Sequence, residues 1–194
     1  MKKTLLLLLF VPFLGNSQEI LNGSWKLNSV AGDCDALFVD EYNALVEHST
    51  AWGNNVLDQN NLHTGNCVTF DTILASPIDG EWFCAIVSKD VSGTSVKQSK
   101  LSLEFSDTLS IYKWYELSFY DKAPMGPPPP GTYYDPVKYK LGISLVPDAF
   151  GDSIYTSPYP GTAWVQRKII FQAPNNGRHL TIKAVLMRVI TLLS

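Results

Sequence analysis

Within the stretch "DAFGDSIYTSPYPGTAW", residues 148–164, Gly151-Asp152-Ser153 has the residue types of a hydrolase nucleophile. A serine nucleophile needs a base within hydrogen-bond reach and a third group to orient that base. Hydrolases that use this triplet carry it early in the mature chain, with an Asp-x-x-His late. Here it lies late, no Asp-x-x-His follows, and His179 is the only downstream histidine. The stretch reads instead as a turn-rich loop between two strands, with Asp148 and Asp152 favouring Asx-turns.

Other chemistry is equally thin. Asp79 and Glu81 flank Gly80, and Asp33 and Asp35 flank Cys34. Glycoside hydrolysis needs two carboxyls at a set separation across a cleft, and no spacing in the chain pairs these, so they read as a solvated rim. His48, His63 and His179 lack ligand spacing and there is no Cys-x-x-Cys, so neither metal nor other cofactor is expected.

Aromatic residues carry the strongest signal. Trp52, Trp82, Tyr133, Tyr134, Tyr155, Tyr159 and Trp164 fall in or beside turn-rich segments. Sugars stack their C–H faces on such rings and offer hydroxyls to Asn, Asp and Arg. Trp82 and Trp164 begin strands and suit core ends. Trp52, Tyr155 and Tyr159, with Tyr133 and Tyr134 behind the rigid run Pro127 to Pro130, and Asp152 for hydroxyl contacts, are the candidate ligand-binding residues.

These loops hang on strands. "KLSLEF" alternates Leu101, Leu103 and Phe105 against Lys100, Ser102 and Glu104, and "WYELSFYDKA" alternates Tyr115, Leu117 and Phe119 against Trp114, Glu116 and Ser118. "KYKLGISL" puts Tyr139, Leu141, Ile143 and Leu145 on one face. "AWVQRKIIFQAP" puts Val165, Ile169 and Phe171 together, interrupted by Arg167, and "HLTIKAVL" does so with Leu180, Ile182 and Ala184. Period-two patterning with one wet face predicts antiparallel sheets. A short helix is expected at about residues 40–46, a strand over "EWFCAIVSK", and a long Asn-rich loop over residues 53–66.

The N-terminus, "MKKTLLLLLFVPFLGNS", has a basic start, a short apolar run and small residues before Gln18. Residues 1–17 are expected to be a secretory signal peptide; the apolar run is about half of the ~20 residues a spanning helix needs. Without those residues and their two lysines, 13 basic and 18 acidic residues remain. That acidic balance gives no footprint for nucleic acid. Residues 18–194 are expected to form a single β-sandwich domain.

In order along the chain, "LNGSWKL", "SPIDGEWFCAIVS", "LSLEFSDTLSIYKWYELSFYDKA" and "AWVQRKIIFQAPNNGRHLTIKA" resemble the galactose-binding-like jelly rolls, of carbohydrate-binding-module type, found in secreted Bacteroidetes proteins. The resemblance covers most of the mature chain and implies an eight- or nine-stranded jelly roll. Two departures stand out. Lys26 replaces the glutamate that binds calcium in some of these folds, and the closing strand with its aspartate is absent from "VLMRVITLLS", so no calcium is expected. That tail can extend the preceding strand but holds no turn signal, leaving a jelly roll that lacks its closing strand.

The expected function is therefore a secreted, extracellular or cell-surface, non-catalytic carbohydrate-binding or adhesion-type module. Its expected partners are a glycan and other secreted or surface proteins, with no nucleic acid and no membrane span. A structural or protein-interaction module is the alternative, and a hydrolase using Ser153 ranks third.

Three cysteines in an oxidising compartment permit one bridge. Cys34 and Cys67, in turn-rich segments, are expected to pair and to stabilise by about 3–4 kcal/mol. Cys84, within the apolar "WFCAIV", is expected to stay a buried thiol. Peptide mapping without reduction should recover a 34–67 bridge; Cys84 in the bridge would overturn this pairing.

Overall fold

The computed structural model describes residues 18–31, 34–53, 59–64, 78, 82–86, 88–91, 95–123 and 137–185. The signal-peptide expectation for residues 1–17, Cys67, Tyr133, Tyr134 and the tail over residues 186–194 lie outside the described residues.

The chain forms an antiparallel all-β sandwich with one short helix. The strands in order are β1 (Cys34–Phe38), β2 (Ser49–Ala51), β3 (Gln59–Thr64), β4 (Trp82–Ala85), β5 (Ser88–Val91), β6 (Ser95–Gln98), β7 (Lys100–Glu104), β8 (Trp114–Asp121), β9 (Tyr139–Ser144), β10 (Asp152–Thr156), β11 (Val165–Gln172) and β12 (His179–Ala184). The helix α1 (Val39–Leu45) follows β1. A five-stranded sheet runs β10-β9-β12-β7-β2, and a two-stranded layer pairs β11 with β8. A three-stranded sheet β1-β3-β4 and the hairpin β5-β6 complete the described strands.

The two main layers meet through the apolar sets that alternation put on one face. Leu101, Leu103, Phe105, Tyr139, Leu141, Ile143 and Leu180 from the five-stranded sheet pack on Phe171, with Tyr115, Leu117, Phe119 and Ile169 beside it. Leu101 and Ile143 are fully enclosed, each worth about 2–3 kcal/mol in removed apolar surface. A second cluster, Leu37, Val39, Tyr42, Val46 and Ala51, lies under α1, and Trp25 and Cys84 touch both clusters. The Tyr42 hydroxyl bonds Ser49 Oγ (2.8 Å) and accepts from Trp25 Nε1 (3.0 Å).

Two asparagines replace missing strand partners. Asn43 donates to the Ala51 carbonyl (3.0 Å) and accepts from its N–H (2.7 Å), closing the outer edge of β2. Asn22, of the "LNGSW" motif, is 2 % exposed and makes three bonds, to the Leu27 N–H and carbonyl and the Glu47 carbonyl. The N-terminal segment joins the sheet beside β7 through an Ile20–Phe105 bridge.

Several expectations need correction. Residues 53–66 are not one loop, because β3 pairs with both β1 and β4 and two backbone ladders outweigh the poor strand preference of asparagine. The stretch 148–164 is not all loop either; β10 pairs with β9 through a bulge between Ser153 and Tyr155. "EWFCAIVSK" splits into β4 and β5, and Leu145, past the end of β9, is 65 % exposed. The short helix stands where expected, with Glu41 Oε2 accepting from the Phe38 N–H at its start.

Cys84 is a free cysteine whose thiol burial pushes up to about 12, leaving it unreactive. Cys34 lies opposite His63, and Cys84 opposite the neighbouring Leu62, on the two sides of β3. The β1 and β4 backbones are thus roughly 9.6 Å apart, beyond the ~7 Å reach of a disulfide, so a 34–84 bridge is excluded.

Arg167, the interruption in the β11 pattern, has a partner. Its Nε donates to Asp121 Oδ1 (2.9 Å), and the Tyr139 hydroxyl donates to Asp121 Oδ2 (2.6 Å). Burial and the Asp121 carboxylate push the Tyr139 hydroxyl far up, so it stays a donor. The Asp121 side chain is 8 % exposed and that of Arg167 23 %. Arg167→Met should therefore cost about 2 kcal/mol, below the ~3–5 of a fully buried pair because water reaches the arginine side. Urea denaturation checks this, and the double variant with Asp121→Asn should lose less than the sum of the singles.

Candidate ligand-binding face

With the leucines of β7, β9 and β12 turned to the core, alternation sends the intervening residues to the outer face of the five-stranded sheet. Strand register then lines them up in rows. Thr50, Ser102, Thr181, Gly142 and Ser153 lie side by side across all five strands. On one side of this row stand Glu104, His179 and Ser144, and on the other Lys100, Lys183 and Lys140. Trp52 continues β2 beside Lys100, its N–H donating to the Lys100 carbonyl (3.1 Å).

The loop from β9 to β10 folds over the middle of this face. A Cβ on Gly142 would stand 3.0 Å from Thr181 Oγ1 and 3.1 Å from Phe150 Cζ, so glycine is what lets the Phe150 ring lie against the sheet. Gly151 is needed for the same kind of approach, since a Cβ there would run into the Ile143 carbonyl and Ser144. The glycine of the Gly-Asp-Ser triplet is thus a packing residue. Asp152 accepts from Asn175 Nδ2 (2.7 Å), which ties the start of β10 to the β11–β12 turn.

At one end lies a groove of about 500 Å³, lined by His48, Thr50, Ser102, Glu104, Pro147 and His179 among others. Glu104 is its hub. Oε2 accepts from His48 Nδ1 (2.8 Å), Oε1 lies 3.1 Å from Arg178 Nη2, and the Glu104 N–H donates to the His48 carbonyl (3.0 Å). His48 makes both contacts from a left-handed backbone (φ 53°), an unfavourable conformation for a non-glycine residue that surrounding contacts must hold. The His48 hydrogen bond, opposed in part by burial and helped by the Arg178 charge, holds the Glu104 carboxyl below its usual range. Burial lowers His179, against the pull of Glu104. Among the described residues, Ser102 Oγ, Thr181 Oγ1 and His179 Nδ1 are buried without a hydrogen-bond partner.

At the other end three lysines lie over aromatic rings. Lys100 Nζ is 5.9 Å from the Trp52 ring centre, Lys183 Nζ 4.1 Å from Phe150, and Lys138 Nζ 4.7 Å from Tyr159. A fourth pair, Lys122 and Trp164 at 5.8 Å, lies at one end of the β8–β11 layer.

No protein-family model, curated protein or solved structure matches this chain.

Of the residues singled out by sequence, Trp52 lies at Lys100, at one end of the lysine row, and Tyr159, 43 % exposed, at Lys138, two residues before Lys140. Tyr155 does not join them. It packs inward, with ring centres 6.2 Å from both Phe119 and Tyr139, because the β10 bulge turns it to the core. Asp152 faces a separate shallow depression with Asn175 and Phe150. Ser153 and His179 sit on strands two apart, roughly 10 Å between backbones, so His179 is out of hydrogen-bond reach as a base for Ser153. Among the described residues no helix is long and apolar enough to cross a membrane.

Sequence reasoning missed Glu104, His48, His179 and the lysine row as a group. The signal was present in "KLSLEF" and "HLTIKA", whose polar faces hold them, but only strand register shows that those faces adjoin.

The Glu104 carboxyl sits below its usual 4.5 in the fold, so on acidification the unfolded chain takes up the proton first. Its contribution to stability is whole above about pH 4.5 and is lost as pH falls through the folded value. Glu104→Gln should lower stability at neutral pH and flatten the decline between about pH 5 and 3, as read by urea denaturation across that range.

Proposed function

We propose that this chain is a secreted, non-catalytic β-sandwich module of jelly-roll type that binds glycan on the outer face of its five-stranded sheet. The observation that carries the reading is the set of three lysine–aromatic pairs, Trp52, Phe150 and Tyr159 with their lysines, on one sheet face. Rings present apolar surface for sugar C–H groups, while ammonium groups donate to hydroxyl oxygens. The "LNGSWKL" opening and the resemblance built on it support a jelly-roll relationship, and the leader-like residues 1–17 support secretion. The separation of Ser153 from His179 argues against a hydrolase.

A protein-contact role has its own observation. Trp114 (65 % exposed) and Ile170 (70 %) project from the outer side of the β8–β11 layer, with Tyr112 (70 %) just before β8. Such a patch suits a partner surface.

A glycan array followed by calorimetry tests the reading. Trp52→Ala and Tyr159→Ala should each weaken binding about tenfold, the size of one lost aromatic contact, with the fold intact by circular dichroism. Tyr155→Phe should leave affinity unchanged. Undiminished affinity in the first two variants, or silence on the array, would overturn the reading, and silence combined with protein capture that Trp114→Ser abolishes would favour the protein-contact role.

A further inference from the structure

We infer that the groove at Glu104 is the hydrogen-bonding subsite of this face and takes one uncharged sugar unit, whose hydroxyls bond Ser102 Oγ and His179 Nδ1. The inference rests on the glycan reading and adds where a sugar is gripped and by which groups.

Three independent features meet in this groove. The first is unused hydrogen-bonding capacity. Ser102 lines the groove, is 1 % exposed, and its Oγ has no hydrogen-bond partner among the described residues. His179 lines it too, and its Nδ1 likewise has none. Buried polar atoms are nearly always paired, so two unpaired ones in the wall of one groove mark a place that a partner fits. The second feature is register. Ser102 stands opposite Thr181 and Glu104 opposite His179, so Ser102 and His179 are diagonal neighbours on the outer face of β7 and β12. Such neighbours lie about 7–8 Å apart, near enough for two hydroxyls of one sugar ring to reach both. The third is strain. His48, also in the groove wall, keeps its left-handed backbone (φ 53°) while its carbonyl and ring both bond Glu104. Strain of this kind persists only where the surroundings impose it, and it gathers at binding sites.

The pattern of donors and acceptors selects the ligand. The Glu104 carboxylate is already engaged by His48 and Arg178. Burial keeps His179 uncharged at neutral pH, and the Ser144 carbonyl accepts from its ring. With Nδ1 bare, that ring proton sits on Nε2, which leaves Nδ1 as an acceptor. An acceptor asks the ligand for a donor, and sulfate or carboxylate groups only accept. A hydroxyl both donates and accepts, so it serves Nδ1 and Ser102 Oγ alike. The groove volume of about 500 Å³ falls within the range of roughly 300–1,000 Å³ usual for small-molecule sites. Pro147 closes the groove from the β9–β10 loop, next to Leu145 (65 % exposed) and Val146 (47 %), and this solvent-facing loop is the wall that yields to admit a sugar to Ser102.

Isotope-labelled protein expressed from the full-length sequence is titrated with the methyl glycosides of galactose, glucose, mannose and fucose, with any glycan that binds on the array, and separately with sodium sulfate. The histidine ring signals are followed by NMR, those of His179 being the ones lost in His179→Leu. At least one glycoside should move the His179 and His48 signals and saturate, and sulfate should move neither. Ser102→Ala and His179→Leu, read at His48, should each weaken that binding about fivefold, the size of one hydrogen bond. Ser102→Ala should unfold at the same or a higher temperature than the parent, since the hydroxyl it removes has no partner in the fold. Ser118→Ala, on β8 in the other layer, should bind as the parent does. A glycan bound on the array while neither it nor any glycoside moves His179 overturns the groove inference and leaves the glycan reading standing. So does Ser102→Ala binding as tightly as the parent. Sulfate that moves both histidines as far as the glycosides do marks an anion site and overturns the uncharged ligand. No carbohydrate bound at all overturns both readings.

Discussion

The dry contact between Leu101, Leu103, Leu141, Ile143 and Leu180 on one sheet and Leu117, Phe119, Ile169 and Phe171 on the other governs the remaining structure. A strand has only two faces, so each apolar residue committed inward commits its neighbour outward. A one-residue slip of β12 would bury Lys183 and His179 and expose Leu180 and Ile182. The burial that holds the layers together is thus also what keeps the lysine row and the Glu104 cluster in place.

Polar groups at the rim of this contact are matched with care. Arg167 enters an otherwise apolar pattern only because Asp121 and Tyr139 form an acceptor and donor around it. Asn22 and Asn43 satisfy backbone groups that no neighbouring strand reaches. Buried polar groups left alone cost about 1–3 kcal/mol each, so the exceptions are informative. Ser102, Thr181 and His179 lie on the outer face, Ser102 and His179 lining the groove and Thr181 beside Phe150 at Gly142, and their buried atoms find no partner among the described residues.

The outer face is electrostatically divided. Glu104, His48 and Arg178 at one end are mutually neutralised, while the lysines at the other end face one another. The aromatic rings sit with the lysines, Trp52 at Lys100, Phe150 at Lys183 and Tyr159 at Lys138, and that coincidence separates this surface from an ordinary solvated face.

Alternation in "KLSLEF", "WYELSFYDKA" and "HLTIKA" was enough to read antiparallel sheets and to assign Leu101, Leu117 and Leu180 to the core, because side-chain direction in a strand is a local property. The helix near Asp40 was legible for the same reason. The Asn-rich strand β3 was not, since its stability comes from ladders to β1 and β4 rather than from its own residues. Nor was the inward turn of Tyr155, which depends on a bulge set by pairing with β9. Trp52 and Tyr159 could be chosen as candidate rings from their turn-rich surroundings. That a lysine would lie over each, and that Lys100, Lys183 and Lys140 from three distant segments would form one row, was decided only by register, which long-range pairing sets and no local pattern encodes.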